Sequence, residues 1–352
     1  MIVKTPDGVH QFCDLFQGEM TRWQRKVIPR LLVGILMAGG QPNYSVLARK
    51  VIAERRNRSS VSRFFKTERF QSNNLYRTAL IRFLEVHPEQ NSGTWFLILD
   101  GTSSKRGGFT KIANALQNRE TFSSKRGRST KAHMFLMGLL LLPDGTRLPL
   151  PVLPYYTKKY CRETGIPYKT QIELAIQMIS GAPIPSKVGR VIVLADEYYE
   201  GRAVHGACTD LGYIYIMPVE CRRCFVDAEG HSTAVTLHRR GYQKKSLSQK
   251  IELVAGREAT AHCRRWSEAN REKKRIYRAF TEAAQVAGLG GVSVTYSWKK
   301  SKKKGRHNCE ETYKVLVSND KNLTAEMCVE YYEIRWQIEL FFREMKSVIG
   351  FN

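Results

Sequence analysis

The sequence predicts an α/β fold, helical at the amino terminus and organised around a mixed sheet thereafter. Apolar residues recur at helix-like spacing as far as about Gln90. From Thr94 the texture changes: residues 95–99 form an unbroken apolar run, the pattern of a strand buried on both faces, and it ends at Asp100. After Gly189 a second such run, residues 191–195, delivers Asp196 in the same way.

The amino-terminal region, residues 1–90, carries Phe12, Leu15 and Phe16, then Val27, Ile28, Leu31 and Leu32, at helical spacing. Two shorter helices are expected at residues 45–56 and 60–69, each opened by a serine suited to N-capping. Arg49, Lys50, Arg55, Arg56, Arg58, Arg63 and Lys66 decorate them, which would suit a helix-turn-helix-like module lying against phosphates. A solvated basic helix face is the plainer alternative.

A second strand is expected at residues 132–142. Pro143, Asp144 and Gly145 then signal a turn into residues 148–153, which makes a hairpin. Residues 169–180 read as a helix with Ile172, Ala175, Ile176 and Ile179 on one face, and a fifth strand is expected at 213–219. In this order the first and fourth strands can lie side by side and present their two aspartates together.

Between about Cys221 and Leu323 the pattern loosens into basic clusters, Arg239, Arg240, Lys244 and Lys245, then Lys299, Lys300, Lys302, Lys303 and Lys304. Strand-like residues 292–298 and 313–317 flank the second cluster. The expectation is an insertion in the sheet, with a hairpin whose basic loop either reaches DNA or is merely solvated.

Lys and Arg number 57 against 32 Asp and Glu in 352 residues, a formal charge of +25 that calls for a polyanionic partner, nucleic acid before an anionic membrane surface. The longest apolar run, residues 134–143, is far short of the roughly 20 residues that span a bilayer. With no signal-peptide pattern at the amino terminus, a cytoplasmic, nucleoid-associated protein is expected. The eight cysteines read as reduced thiols. Cys221 and Cys224, with His231, His238, His262 and Cys263, could form a zinc site, but a lone CxxC pair is a weak signal.

Residues 331–349 have helix-forming composition without Pro or Gly. At about 100° per residue, Tyr332, Arg335, Glu339 and Lys346 fall within about 60° of one another. Ile334, Ile338, Phe341, Phe342, Met345 and Ile349 form the apolar stripe. A helix packed by that stripe holds Glu339 beside two cations and a phenol. On helical spacing alone an ordinary surface Arg335–Glu339 pair is the favoured explanation, and the two strand-terminal aspartates in a strongly basic chain change that weighting.

Tyr332, two residues, Arg335, three residues, Glu339, six residues and Lys346 together resemble the Y-(2)-R-(3)-E-(6)-K signature of the IS-four family of bacterial insertion-sequence transposases. LILDGTSSKRGG around Asp100 and VIVLADEYYEG around Asp196 are similar to that family's first and second acid motifs. The resemblance implies an RNase H-like sheet, residues 91–222, with a β-rich insertion at 223–322 and a last catalytic helix region at 323–352. It also implies Asp100, Asp196 and Glu339 as catalytic residues and ligands of two Mg²⁺ or Mn²⁺ ions. Tyr332, Arg335 and Lys346 become DNA contacts, and an insertion aromatic, with Trp298 the candidate before Trp266, stacks on a flipped base, although a buried core Trp is the commoner explanation for such a residue.

The chemistry fits these residue types, because a phosphodiester repels nucleophiles and its transfer depends on positioning and charge neutralisation. A bound water would cleave at the transposon end, and the liberated 3′-hydroxyl would then attack DNA. The expected partners are double-stranded DNA, at transposon ends and target, and a second copy of the chain. Only six residues follow Lys346 where similar transposases continue further, so a shortened regulator that occupies ends without cutting is the second expectation. A structure-specific nuclease is the third.

Overall fold

The amino-terminal residues fold as helices because their apolar side chains share a face and their ends are capped. The computed structural model describes residues 5–38, 44–48, 58–66, 72–105, 116–118, 130–254, 274–302 and 309–346. Helices α1 (Asp7–Asp14) and α2 (Arg22–Met37) come first, and α2 opens on a capping box. There Gln24 N donates to Thr21 Oγ1 at 3.3 Å and Thr21 N to Gln24 Oε1 at 2.8 Å, satisfying two amides that the helix start leaves over. Helices α3 (Tyr44–Val46), α4 (Arg58–Lys66) and α5 (Ser72–Val86) follow.

Phe16, Ile28, Leu31, Val61, Phe64, Leu75 and Ala79 close a core for this bundle. Leu80 and Leu84, on the other side of α5, belong instead to the core of the sheet, so α5 ties bundle and sheet together. The expected helix at 60–69 is α4. Most of the one expected at 45–56 lies outside the described residues, as do Arg49, Lys50, Arg55 and Arg56.

Thirteen strands build one sheet among the described residues. They are β1 (Thr94–Lys105), β2 (Leu116–Asn118), β3 (Thr130–Leu141), β4 (Arg147–Pro149), β5 (Leu153–Tyr155), β6 (Arg190–Leu194) and β7 (Ile214–Pro218). The rest are β8 (Cys224–Val226), β9 (Ser232–Thr236), β10 (Gln249–Val254), β11 (Lys274–Val286), β12 (Gly290–Lys302) and β13 (Cys309–Ser318). The order is β2-β3-β1-β6-β7-β13-β12-β11-β8-β9, with β4 and β5 on β3 and β10 on β11. As expected, β1 and β6 are neighbours and parallel, Ile98 opposite Leu194.

The hairpin after Leu142 forms, but its return is split into β4 and β5, both antiparallel to β3. Asp144 belongs to the turn, accepting from Thr146 N at 2.8 Å. Where two strands were expected between Cys221 and Leu323 there are six, and β13 pairs antiparallel with β7, so this region extends the same sheet.

Helices α6 (Lys158–Thr164), α7 (Gln171–Gly181), α8 (Arg202–Asp210) and α9 (Leu237–Gln243) precede the final pair, α10 (Ala325–Ile334) and α11 (Trp336–Glu344). Strand residues two apart share a face, and the two faces bury different sets. Leu97, Leu99, Val193, Tyr215 and Val317 pack in one core with Ala175 and Ile179 of α7 and Cys208 of α8. Phe96, Ile98, Ile192, Leu194, Ile216 and Leu316 pack with Cys328, Tyr332 and Ile338 of the final pair. Each fully buried aliphatic side chain of these sets contributes about 1.5–3 kcal/mol.

The final helical stretch is not the continuous helix that its composition predicts. At Arg335 the hydrogen bonds step by three residues, Arg335 N to Tyr332 O at 3.1 Å and Ile338 N to Arg335 O at 3.3 Å, and α10 ends there before α11 begins.

Candidate active site

Two-residue periodicity decides where the aspartates point. Asp100 continues the series Phe96, Ile98 on β1, and Asp196 continues Ile192, Leu194 just beyond β6, so both belong to the face that α10 and α11 cover. The β1–β6 register, Ile98 opposite Leu194, brings Asp100 on β1 near Asp196 just past the end of β6, close enough for Asp196 to act on the Asp100 carboxyl. Backbone amides steady each: Gly101 N donates to Asp100 Oδ1 at 2.8 Å, and Tyr198 N to Asp196 Oδ1 at 2.9 Å.

The third acid arrives from α11. Glu339 Oε1 accepts from Arg335 Nη2 at 2.6 Å, and Arg335 Nη1 lies 3.6 Å from Asp100 Oδ2. The Arg335 side chain is 14% exposed, Asp100 17% and Glu339 30%, so one guanidinium bridges two largely desolvated carboxylates. Three further ion pairs fix the final helices around it: Arg147 of β4 reaches Glu344 at 3.0 Å, and Arg275 and Lys299 both engage Glu333.

Charge crowding shows in the titration of these groups. Burial pushes Asp100 up to about 7, opposed by Arg335 and assisted by Asp196 and Glu339. Tyr332 is pushed up to about 12, chiefly by burial. Arg335 is raised above the ordinary arginine range: burial opposes its charge, but Tyr332, Glu339 and Asp100 outweigh that.

Asp100, Asp196, Glu339 and Arg335 are thus gathered at one place. Tyr332, from the same spacing, is buried in the core that also holds Phe96, and Arg335 Cζ lies 5.9 Å from its ring centre. It walls the site instead of projecting from it. Lys346 stands half-buried at the end of the described helix, about two turns beyond Glu339.

Trp298 takes the buried alternative and not the stacking role. It is 1% exposed, because it continues the series Val292, Val294, Tyr296 into the core on the face of β12 away from the acids. Its ring lies 5.3 Å from Tyr313, so as it stands it offers no surface for a flipped base. Lys299 points to the acid-bearing face and is engaged with Glu333 at 3.2 Å. Lys300 and Lys302 lie on β12, and the side chains of both are outside the described set, as are Lys303 and Lys304 entirely.

Two residues at the site escaped the sequence reading. Tyr199, buried two residues past Glu197, is driven upward by burial, Asp100 and Asp196, which puts its phenol at the acids. Lys314 of β13 lies 5.2 Å from the Tyr332 ring centre. The first could have been suspected from the DEYYEG run, the second only from strand parity.

Two carboxylates sharing one guanidinium, with Asp196 close enough to act on Asp100, form a donor set that suits hard divalent ions. Among the described residues, however, no group of three or more His, Cys, Asp or Glu side chains stands close enough to hold a metal as arranged, because Arg335 bridges Asp100 and Glu339. The same holds for the zinc expectation: Cys221 and Cys224 are free thiols, and His262 and Cys263 lie outside the described residues.

The family model described as Transposase DDE domain matches residues 91–352. The chain belongs to that family. The match starts just before β1 and takes in both aspartate-bearing strands, the strands up to β13 and the final helices. A DDE transposase domain acts on DNA in recombination, and enzymes of this kind generally use divalent metal ions. Comparison with curated proteins gives no match. No described helix is long and apolar enough to cross a membrane.

Proposed function

We propose that the chain cleaves DNA at insertion-sequence ends and transfers the cut strand to target DNA, with Asp100, Asp196 and Glu339 as its catalytic carboxylates. The observation that carries this reading is the meeting of Asp100 and Asp196, on neighbouring parallel strands, with Glu339 through the single guanidinium of Arg335. The sheet order β3-β1-β6-β7, with β3 antiparallel to β1 and β6 and β7 parallel to it, supports an RNase H-like fold. The Tyr332, Arg335, Glu339, Lys346 spacing supports IS-four membership.

Asp100, Asp196 and Glu339 would hold the divalent ions. Bound there, two ions supply activation of the attacking oxygen and stabilisation of the leaving one. The chain's own side chains do the positioning. Asp100 must give up its proton to serve, and its raised pKa makes that release sensitive to pH near neutrality. Arg335 has to turn from the acids toward a phosphate oxygen, exchanging carboxylate partners for the substrate's, which its planar fork suits. Tyr332, packed in the core, keeps the arginine on the acid side. The basic residues of α4 and of the β12–β13 hairpin would hold duplex DNA, and two copies of the chain would pair the ends.

The test is incubation with DNA carrying the element's ends and Mg²⁺, alongside Asp100→Ala. Metal-dependent cleavage followed by joining, both lost in the variant, is the expected result. Cleavage without joining would point to a nuclease, and binding alone to a regulator of transposon ends.

A further inference from the structure

We propose that the pocket between α10 and strands β12 and β13 is a phosphate-binding site for the DNA strand beside the acids, with Lys314 as its principal contact. It rests on the DNA-processing reading above and adds a site to it. The pocket holds about 60 Å³, room for several water-sized oxygens, and Tyr277, Lys299, Thr312, Lys314, Tyr332 and Glu333 line it. Its Tyr332 wall is shared with the candidate active site, since the same ring has Lys314 Nζ at 5.2 Å and Arg335 Cζ at 5.9 Å.

The charges there are unbalanced. Among the described residues of the lining Glu333 is the only acid, and it is committed to Arg275 and to Lys299, the latter at 3.2 Å. Among the described residues no carboxylate forms an ion pair with Lys314. Lys314 keeps an exposed side, yet its ammonium is held below the ordinary lysine range by partial desolvation against the pocket, then by Arg335 and Lys299, while Glu333 and Glu197 pull the other way. An anion accepting from Lys314 would relieve that repulsion, and the Thr312 and Tyr277 hydroxyls and Ser297 supply further polar contacts. A phosphodiester fits: it is anionic, accepts several hydrogen bonds, and a strand running from Arg335 past the Tyr332 edge meets Lys314 next.

The test is binding in EDTA, where no cleavage occurs. Affinity for a short labelled duplex is measured by fluorescence anisotropy across a salt series for the full chain, Lys314→Ala, Lys314→Met, Lys314→Arg and, as a control on the exposed face of α6, Lys159→Ala. The slope of log K against log salt is expected to fall by about 0.9 in the Ala and Met variants and to be kept in the other two. The Met variant preserves the packed stem, so a loss in Ala alone, traced to misfolding by its melting curve, overturns the assignment. An unchanged slope in both overturns it as well. Inorganic phosphate competing equally well against the full chain and Lys314→Ala would put the anion elsewhere and also overturn it. Because the readout needs no metal and no cleavage, a chain that binds in this way yet never cuts would defeat the catalytic reading alone.

Discussion

Arg335 and Glu339 stand one helical turn apart and are joined at 2.6 Å between Nη2 and Oε1, while the same guanidinium reaches Asp100 at 3.6 Å. An isolated pair at this spacing on a surface helix contributes little. Here the partners are largely desolvated and a second carboxylate shares the cation, so removing Arg335 leaves two acids facing each other in a poorly solvated place.

Arg335→Gln should therefore lower the stability of the metal-free protein by about 1–3 kcal/mol, the size expected when charge-assisted hydrogen bonds are lost. Mn²⁺ should raise the melting temperature of the variant more than that of the unsubstituted chain, since it would replace the missing positive charge. Thermal melts in EDTA and in Mn²⁺ check this, and equal shifts in both proteins would contradict it.

Asp100 gives a pH dependence of definite sign. Its folded pKa is about 7, raised from an ordinary value of 3.8, so between those two values the folded chain binds more protons than the unfolded one. The stabilisation present below the lower value is lost as pH rises through the upper one. Asp100→Asn, which cannot ionise, should gain on the unsubstituted chain across that interval by an amount on the order of a few kcal/mol at most. Denaturant melts in EDTA across this range measure the difference, which should be absent at low pH.

His205 should act in the opposite sense. It lies stacked on Tyr215 at 4.0 Å, both ring nitrogens lack hydrogen-bond partners, and burial, with Arg223, lowers its pKa to about 4. The unfolded chain takes up its proton near 6.5, so stability is complete above that value and falls as pH drops toward 4. His205→Phe should flatten this part of the acid limb in a pH series of urea melts.

Gly138 of β3 holds the acid-bearing sheet against α7. A Cβ there would lie 2.9 Å from Leu150 Cδ1 and 3.2 Å from the Met178 side chain. Gly138→Ala should destabilise by about 1–3 kcal/mol through overpacking. Gly181→Ala, at the end of α7 where nothing stands within 4 Å, should be close to neutral under the same denaturation assay.

The strands that carry the acids were legible because unbroken apolar runs ending in Asp have few alternative explanations. Periodicity also put Ile338 on the buried stripe and Glu339 off it. It grouped Tyr332 with the outward face, whereas the ring is buried; the helix breaks at Arg335 between Tyr332 and Glu339, and no Pro or Gly announces that break. Strand β11 escaped because both its faces carry charges: Arg275 pairs with Glu333 and Glu282 with Arg240. Those partners come from elsewhere in the chain, so a polar stretch conceals a central strand. The burial of Trp298, the commoner reading for a Trp, follows from the series Val292, Val294 and Tyr296, while the adjoining lysines argued for the stacking role.

Calorimetric titration of Mn²⁺ into the unsubstituted chain and into Asp100→Ala, Asp196→Ala and Glu339→Ala, each checked for folding by its melt, addresses the shared-ligand claim directly. Saturable uptake by the unsubstituted chain, weakened or lost in all three variants, is the predicted result. Undiminished Mn²⁺ binding after removal of any one of these carboxylates would contradict it.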